Sequence, residues 1–125
     1  KLVPQADFVV LACALTPETT GLMSAAAFAA MKPSSVFVNV ARGKVADEAA
    51  LIDTMKDGRI WAAALDVTAE EPLPAASPLW TMPNVFVTPH TAGETRAYED
   101  NVIDILVENL GRLWKGEKNL RNQVL

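Results

Sequence analysis

The sequence predicts an α/β fold in which helices flank a parallel sheet. Three observations carry this reading. Short apolar runs rich in β-branched residues recur along the chain, and they are apolar on both faces, as buried parallel strands are. Helix-capping patterns alternate with the first three of these runs. The βα connections are only a few residues long.

Each element has its own signal. The run 7–12 (Asp-Phe-Val-Val-Leu-Ala) reads as the first strand, and Thr16-Pro17-Glu18-Thr19 is turn chemistry. Ser24 is an N-cap for an Ala-rich helix over 25–31, which Lys32-Pro33 closes. The second strand covers 36–41 (Val-Phe-Val-Asn-Val-Ala). Asp47 caps a helix over 48–57, with Gly58 as its C-terminal stop. The third strand, 60–67, uses small side chains, and a loop with prolines at 72, 74, 78 and 83 follows it. The fourth strand covers 84–88. Val102, Ile103, Leu106, Val107, Leu110, Leu113 and Trp114 recur at helical spacing and predict a long amphipathic helix over 94–116. Residues 117–125 read as a tail.

Composition narrows the function classes. With 125 residues, half of them hydrophobic, the chain is one domain at most and can bury a real core. A formal net charge of −4 opposes a nucleic-acid-binding surface, which would be basic. No apolar run reaches the ~18 residues of a membrane helix. Residues 1–7 lack the pattern of a signal peptide, so a cytoplasmic location is expected. One cysteine and one histidine predict neither a disulfide framework nor a metal site. The six glycines never form a Gly-x-Gly pair, so the chain carries neither a dinucleotide Gly-rich loop nor a phosphate P-loop.

In an open parallel sheet, ligands bind beyond the carboxyl ends of the strands. The four predicted exits are Cys13 to Thr16, Arg42-Gly43, Asp66 to Glu71, and Pro89 to Gly93. Each residue has an ordinary reading: Arg42 as a surface ion pair, Gly43 as turn relief, Asp66 as a cap, Glu70 and Glu71 as solvated charges, His90 as a turn residue, Cys13 as a small hydrophobe. Together they are more informative. Arg, Glu and His on successive exits can grip a carboxylate bidentately, pair with an imidazole and move a proton.

The segments 38–51 (Val-Asn-Val-Ala-Arg-Gly-Lys-Val-Ala-Asp-Glu-Ala-Ala-Leu), 63–72 (Ala-Ala-Leu-Asp-Val-Thr-Ala-Glu-Glu-Pro) and 77–93, with Thr88-Pro89-His90-Thr91-Ala92-Gly93 at its end, resemble the signatures of the D-isomer-specific 2-hydroxyacid dehydrogenases. Leu15-Thr16-Pro17-Glu18-Thr19 is similar to the strand-exit loop before them, and the likeness runs from about Ala6 to Gly116. The resemblance implies an NAD(P)-dependent oxidoreductase that interconverts a D-2-hydroxy acid and a 2-oxo acid. It implies a catalytic trio in which Arg42 grips the substrate carboxylate, Glu71 rather than Glu70 hydrogen-bonds the imidazole and favours its protonated form, and His90 is the acid–base. It implies contacts to NAD or NADP at Cys13, Val40, Ala41, Arg42, Asp66, His90, Thr91, Ala92 and Gly93, with Asp66 on the nicotinamide side. We expect a homodimer.

The chain departs from the family pattern in three places. Ala14 stands where proline is usual, Ala12 where histidine is common, and Thr68 where an aromatic is usual. None of these removes chemistry. The absent Gly-rich loop predicts the C-terminal half of a Rossmann-type nucleotide-binding domain, a single partial domain over 1–125 whose first strand is a raw edge. The alternatives are an inactive fragment, or a non-catalytic dinucleotide-binding or interaction module of the same fold.

Overall fold

A computed structural model of the chain describes residues 2–124. Lys1 and Leu125, the two ends of the domain and tail expected from the sequence, lie outside the described residues. The chain divides into two compact units, Lys1–Ala92 and Gly93–Leu125.

The first unit has an α/β architecture. Four parallel strands, β1 (Phe8–Leu11), β2 (Val36–Asn39), β3 (Ala62–Leu65) and β4 (Val85–Val87), lie side by side in chain order. Phe8 pairs with Val36, Val36 with Ala62, and Ala63 with Val85. Helix α1 (Ala25–Ala29) joins β1 to β2, and α2 (Glu48–Lys56) joins β2 to β3. Both start where the caps predict. Ser24 accepts from the Ala27 N–H at 3.4 Å, and Asp47 accepts from the Ala50 N–H at 3.0 Å. Gly58 follows α2 with φ +63°, a left-handed position that suits glycine. The strands are shorter than the apolar runs because ladder pairing stops at Leu11, Asn39, Leu65 and Val87, where the chain turns into the exits. The third connection is not helical. Its prolines forbid a helix interior, and a single 3-10 turn at Pro78–Thr81 punctuates the return to β4.

Alternation along the strands assigns the two sheet faces. Phe37, Ala63, Leu65 and Leu11 join Phe28 of α1 and Leu51 and Met55 of α2 in one buried cluster. The Phe28 and Phe37 rings meet edge to face with centroids 5.0 Å apart. The opposite face is apolar but open, with Phe8 67% and Phe86 65% exposed. β1 is an edge strand, as the sequence predicts.

The second unit is built on helix α3 (Tyr98–Trp114). It starts four residues later than the sequence predicts. The Tyr98 N–H bonds to the Thr95 carbonyl in a preceding turn, and Ala97 offers no side-chain cap. The tail folds back on this helix through an Arg121–Glu108 ion pair at 3.0 Å and hydrogen bonds between Asn109 and the Arg121 backbone. No helix among the described residues is long and apolar enough to cross a membrane.

Candidate active site

The parallel order brings the β2, β3 and β4 exits side by side at one sheet edge. Each exit is shaped by a residue other than Arg42, Glu71 and His90. At the β2 exit, Asn39 is buried at the last strand position. Its Oδ1 accepts from the Ala41 N–H at 3.0 Å, and its Nδ2 donates to the Arg42 carbonyl at 3.2 Å. These bonds turn the chain so that the Arg42 side chain is exposed while Ala41 goes into the core. One Arg42 Nη1 donates to the Ala41 carbonyl at 2.6 Å, which leaves most of the guanidinium fork free.

Gly43 is where the second and third exits touch. A Cβ at this position would lie 1.9 Å from the Thr68 carbonyl oxygen and 2.5 Å from the Ala69 nitrogen. Only a residue without a side chain lets the two backbones pack this closely. The sequence reads Gly43 as turn relief, but its φ is not left-handed; the demand is close approach.

The β3 exit carries the carboxylates. The Thr68 N–H donates to Glu71 Oε1 at 3.1 Å, and the Thr68 hydroxyl donates to the Glu70 carbonyl at 2.7 Å. Glu48 at the start of α2 accepts from the Ala69 N–H at 2.7 Å and ties the loop down. Glu71 Oε2 lies 2.8 Å from His90 Nδ1. Its carboxyl is held below the usual carboxylate range by that bond first; burial opposes this, and the Thr68 N–H and the charges of His90 and Arg42 reinforce it. An ionised Glu71 is an acceptor only, so Nδ1 carries the proton it shares, and Nε2 is the ring atom left for other work.

Asp66 is 6% exposed and sits at the end of β3. Its Oδ1 accepts from the Thr88 hydroxyl at 2.6 Å and the Thr91 N–H at 2.9 Å, and its Oδ2 accepts from the Ala92 N–H at 2.9 Å. Burial raises its pKa, but the three hydrogen bonds and the nearby His90 outweigh burial, so the net shift is downward. The β4 exit that it grips is unusual. His90 has φ +58°, a left-handed conformation that costs a non-glycine residue about 1–3 kcal/mol unless its surroundings impose it.

Two cavities meet at this edge. One, about 640 Å³, is lined by Glu71, His90, Thr68 and the apolar wall of Pro72, Leu73 and Trp80. The other, about 250 Å³, opens on the uncovered sheet face and is lined by Val38, Val40, Ala64, Phe86, Thr91 and Ala92. Asp66 and Thr88 line both. Of the residues the sequence singles out, Arg42, Glu71, Asp66, His90, Thr91 and Ala92 therefore share one edge, and Val40 lines the second cavity. Ala41 contributes backbone only, since its side chain is in the core. Cys13 packs, half-buried, against the core at the β1 exit and lines neither cavity. Gly93 begins the second unit. Sequence reasoning missed Asn39, Thr88 and Glu48. The available signal was a polar residue at the last position of an apolar strand for Asn39, and one just past the strand's end for Thr88.

The family model described as D-isomer-specific 2-hydroxyacid dehydrogenase, NAD-binding domain, matches residues 1–92. The glyoxylate/hydroxypyruvate reductase B of Citrobacter koseri is 46% identical over 123 residues, covering 97% of this chain and 38% of the relative. Among solved structures, a D-isomer-specific 2-hydroxyacid dehydrogenase from Xanthobacter autotrophicus in complex with NADPH and MES superposes with a TM-score of 0.90 at 46% identity, covering 98% of this chain and 50% of that one. The NADPH-dependent glyoxylate/hydroxypyruvate reductase from Sinorhizobium meliloti, in complex with NADP and sulfate, gives 0.88 at 33% identity, covering 98% of this chain and 39% of that one. The chain thus spans about 38% of the length of the curated relatives it matches.

Proposed function

Because the chain belongs to the D-isomer-specific 2-hydroxyacid dehydrogenase family, as part of its NAD-binding domain, we propose that it supplies the acid–base and carboxylate-binding groups of an oxidoreductase that interconverts a D-2-hydroxy acid and a 2-oxo acid. The observation that carries this reading is the Glu71–His90 pair at 2.8 Å beside the free guanidinium fork of Arg42. The relatives' names point to glyoxylate and hydroxypyruvate as substrates to try first.

The residues divide the work. Arg42 binds the substrate carboxylate through its unused N–H groups. Glu71 fixes the imidazole by accepting from Nδ1–H, and His90 Nε2 gives its proton to the oxygen of the 2-oxo group. In the reverse direction Nε2 takes that proton from the hydroxyl. When NAD or NADP is bound, its nicotinamide supplies or accepts the hydride. The chain's own residues fit such a cofactor. Val40, Val38, Ala64 and Phe86 form an apolar shelf at the carboxyl ends of β2 to β4, bordered by Thr91 and Ala92. No Gly-rich pyrophosphate loop is among these 125 residues, so the cofactor's remaining contacts belong to other parts of the protein. A homodimer is part of the same proposal, and light scattering on the full-length protein tests it.

The test is reduction of glyoxylate and hydroxypyruvate by the full-length protein that carries this chain, followed by loss of NADH or NADPH absorbance. We expect turnover by the wild type and a loss of about 10²- to 10⁴-fold in kcat for His90→Gln, the range of general acid–base catalysis. Undiminished kcat in that variant removes His90 from the acid–base role.

A further inference from the structure

We propose that Glu48 is a positioning residue for the acid–base pair: from the first turn of α2 it holds the Thr68–Ala69 peptide, and that peptide sets the amide on which the Glu71 carboxylate rests. This deepens the functional reading above and rests on it for the kinetic part of the test.

Glu71 sits in an exposed, proline-rich loop, yet one of its oxygens must meet an imidazole from the neighbouring exit. Both carboxylate oxygens are engaged. Oε2 lies 2.8 Å from His90 Nδ1, and Oε1 accepts from the Thr68 N–H at 3.1 Å. Thr68 is buried, so it is the fixed point against which Glu71 is oriented. What fixes Thr68 comes from a different segment. The peptide between Thr68 and Ala69 is planar, so holding its C=O and its N–H sets its orientation. Its carbonyl lies against Gly43, where a Cβ would come within 1.9 Å of the oxygen. Its N–H, on Ala69, donates to Glu48 Oε2 at 2.7 Å. Gly43 and Glu48 both belong to the stretch that leads from β2 into α2, as does Arg42. One stretch of chain thus carries the carboxylate-binding arginine and, through a single peptide, holds the glutamate that orients the imidazole.

A glutamate in the first turn of a helix has an ordinary use, because a negative charge there favours the helix dipole. In α2 the cap is already provided, since Asp47 Oδ1 accepts from the Ala50 N–H at 3.0 Å. Glu48 reaches across to the β3 exit instead. The two roles separate by charge and by reach. Stabilising the helix needs the charge, which aspartate keeps. Holding Ala69 needs an acceptor at the full length of glutamate. Glutamine keeps that acceptor, whereas aspartate is one methylene short. Kinetics divide the same way, since a residue that positions the reacting groups acts on kcat rather than on binding.

The experiment compares Glu48→Ala, Glu48→Asp and Glu48→Gln in the full-length protein that carries this chain. It measures kcat, both KM values, amide exchange at Thr68 and Ala69, and the NMR signal of the hydrogen-bonded His90 imidazole N–H (assigned by its loss in His90→Gln). For Glu48→Ala and Glu48→Asp we expect kcat to fall about tenfold, a part of the ~100-fold that an ångström of misplacement costs. Both KM values should hold, the Thr68 and Ala69 amides should lose protection, and the imidazole signal should be lost. Glu48→Gln should recover most of the rate, to within about threefold of the wild type, with the imidazole signal retained. Glu48→Asp at the wild-type rate, or Glu48→Gln no better than Glu48→Ala, overturns the proposal. So does loss of Ala69 protection alone with kcat and the imidazole signal unchanged, which would make Glu48 a tie for the loop and nothing more. If Glu48→Ala does not fold, the other two variants decide, and Glu48→Gln no better than Glu48→Asp overturns the proposal. If the wild type reduces no 2-oxo acid, the functional reading fails. The role of Glu48 is then decided by Glu48→Asp, where an unchanged imidazole signal and unchanged Thr68 protection overturn it.

Discussion

Gly43 and Thr68 are in contact through their backbones, so closely that a single added carbon on Gly43 would lie 1.9 Å from the Thr68 carbonyl oxygen. This contact joins the exit that carries Arg42 to the loop that carries Glu71, and it makes Gly43 a residue of the site without any side chain. Gly43→Ala should force the two exits apart. We expect kcat/KM to fall about 100-fold, with overpacking that costs about 1–3 kcal/mol in chemical denaturation. Gly111→Ala in α3, where a Cβ meets nothing within 4 Å, is the control and should leave turnover unchanged. Equal effects of the two substitutions would count against the contact.

Glu71→Gln keeps an oxygen that can accept from Nδ1–H but removes the charge. A hydrogen bond to a charged group is worth about 1–1.5 kcal/mol more than a neutral one, roughly 5- to 10-fold in equilibrium terms. We therefore expect kcat to drop within that range while KM for the dinucleotide holds. Steady-state kinetics with both substrates varied gives the answer, and Glu70→Gln, whose side chain is exposed beside it, should be silent.

Asn39→Ala should act at a distance from the chemistry. It strips the Ala41 N–H and the Arg42 carbonyl of their buried partner, which costs about 1–3 kcal/mol of stability. Because the turn it supports aims Arg42, KM for the 2-oxo acid should rise more than kcat falls. Asn39→Asp keeps the acceptor for Ala41 but turns its second oxygen toward the Arg42 carbonyl, so it should not recover the loss.

Acid should dismantle the site from its carboxylates. Asp66 and Glu71 both sit below their ordinary pKa values in the folded chain. The unfolded chain therefore takes up protons first as pH falls, so the stability these groups contribute is complete above their unfolded values of about 4 and declines below. The Thr91 and Ala92 amide signals, which report on Asp66, should hold steady from neutrality to about pH 4 and titrate only beneath it. Titration of those amides at or above pH 5 would contradict the assignment.

Much of this was legible in the linear chain. Ser24, Asp47 and Gly58 mark helix ends by local chemistry: a side chain that reaches the next turn, or a residue free to adopt positive φ. The strands follow from apolar runs, and the parallel order of the first three follows from the helices between them. That order puts Arg42, Glu71 and His90 on adjacent exits before any coordinate is known. The sequence overextends α3 because periodicity identifies the apolar face of a helix but not where its first turn closes, and a turn at Thr95 intervenes.

By itself the sequence determined the α/β class and the sheet edge at which Arg42, Asp66, Glu71 and His90 gather, because both depend on local periodicity and on a topology with few solutions. Only the tertiary structure decided what holds them. That Asn39 aims Arg42, that Gly43 admits Thr68, and that Asp66 clamps both sides of His90 are contacts within and between exits. They depend on ångström-scale approach in three dimensions, which residue spacing along a chain does not encode.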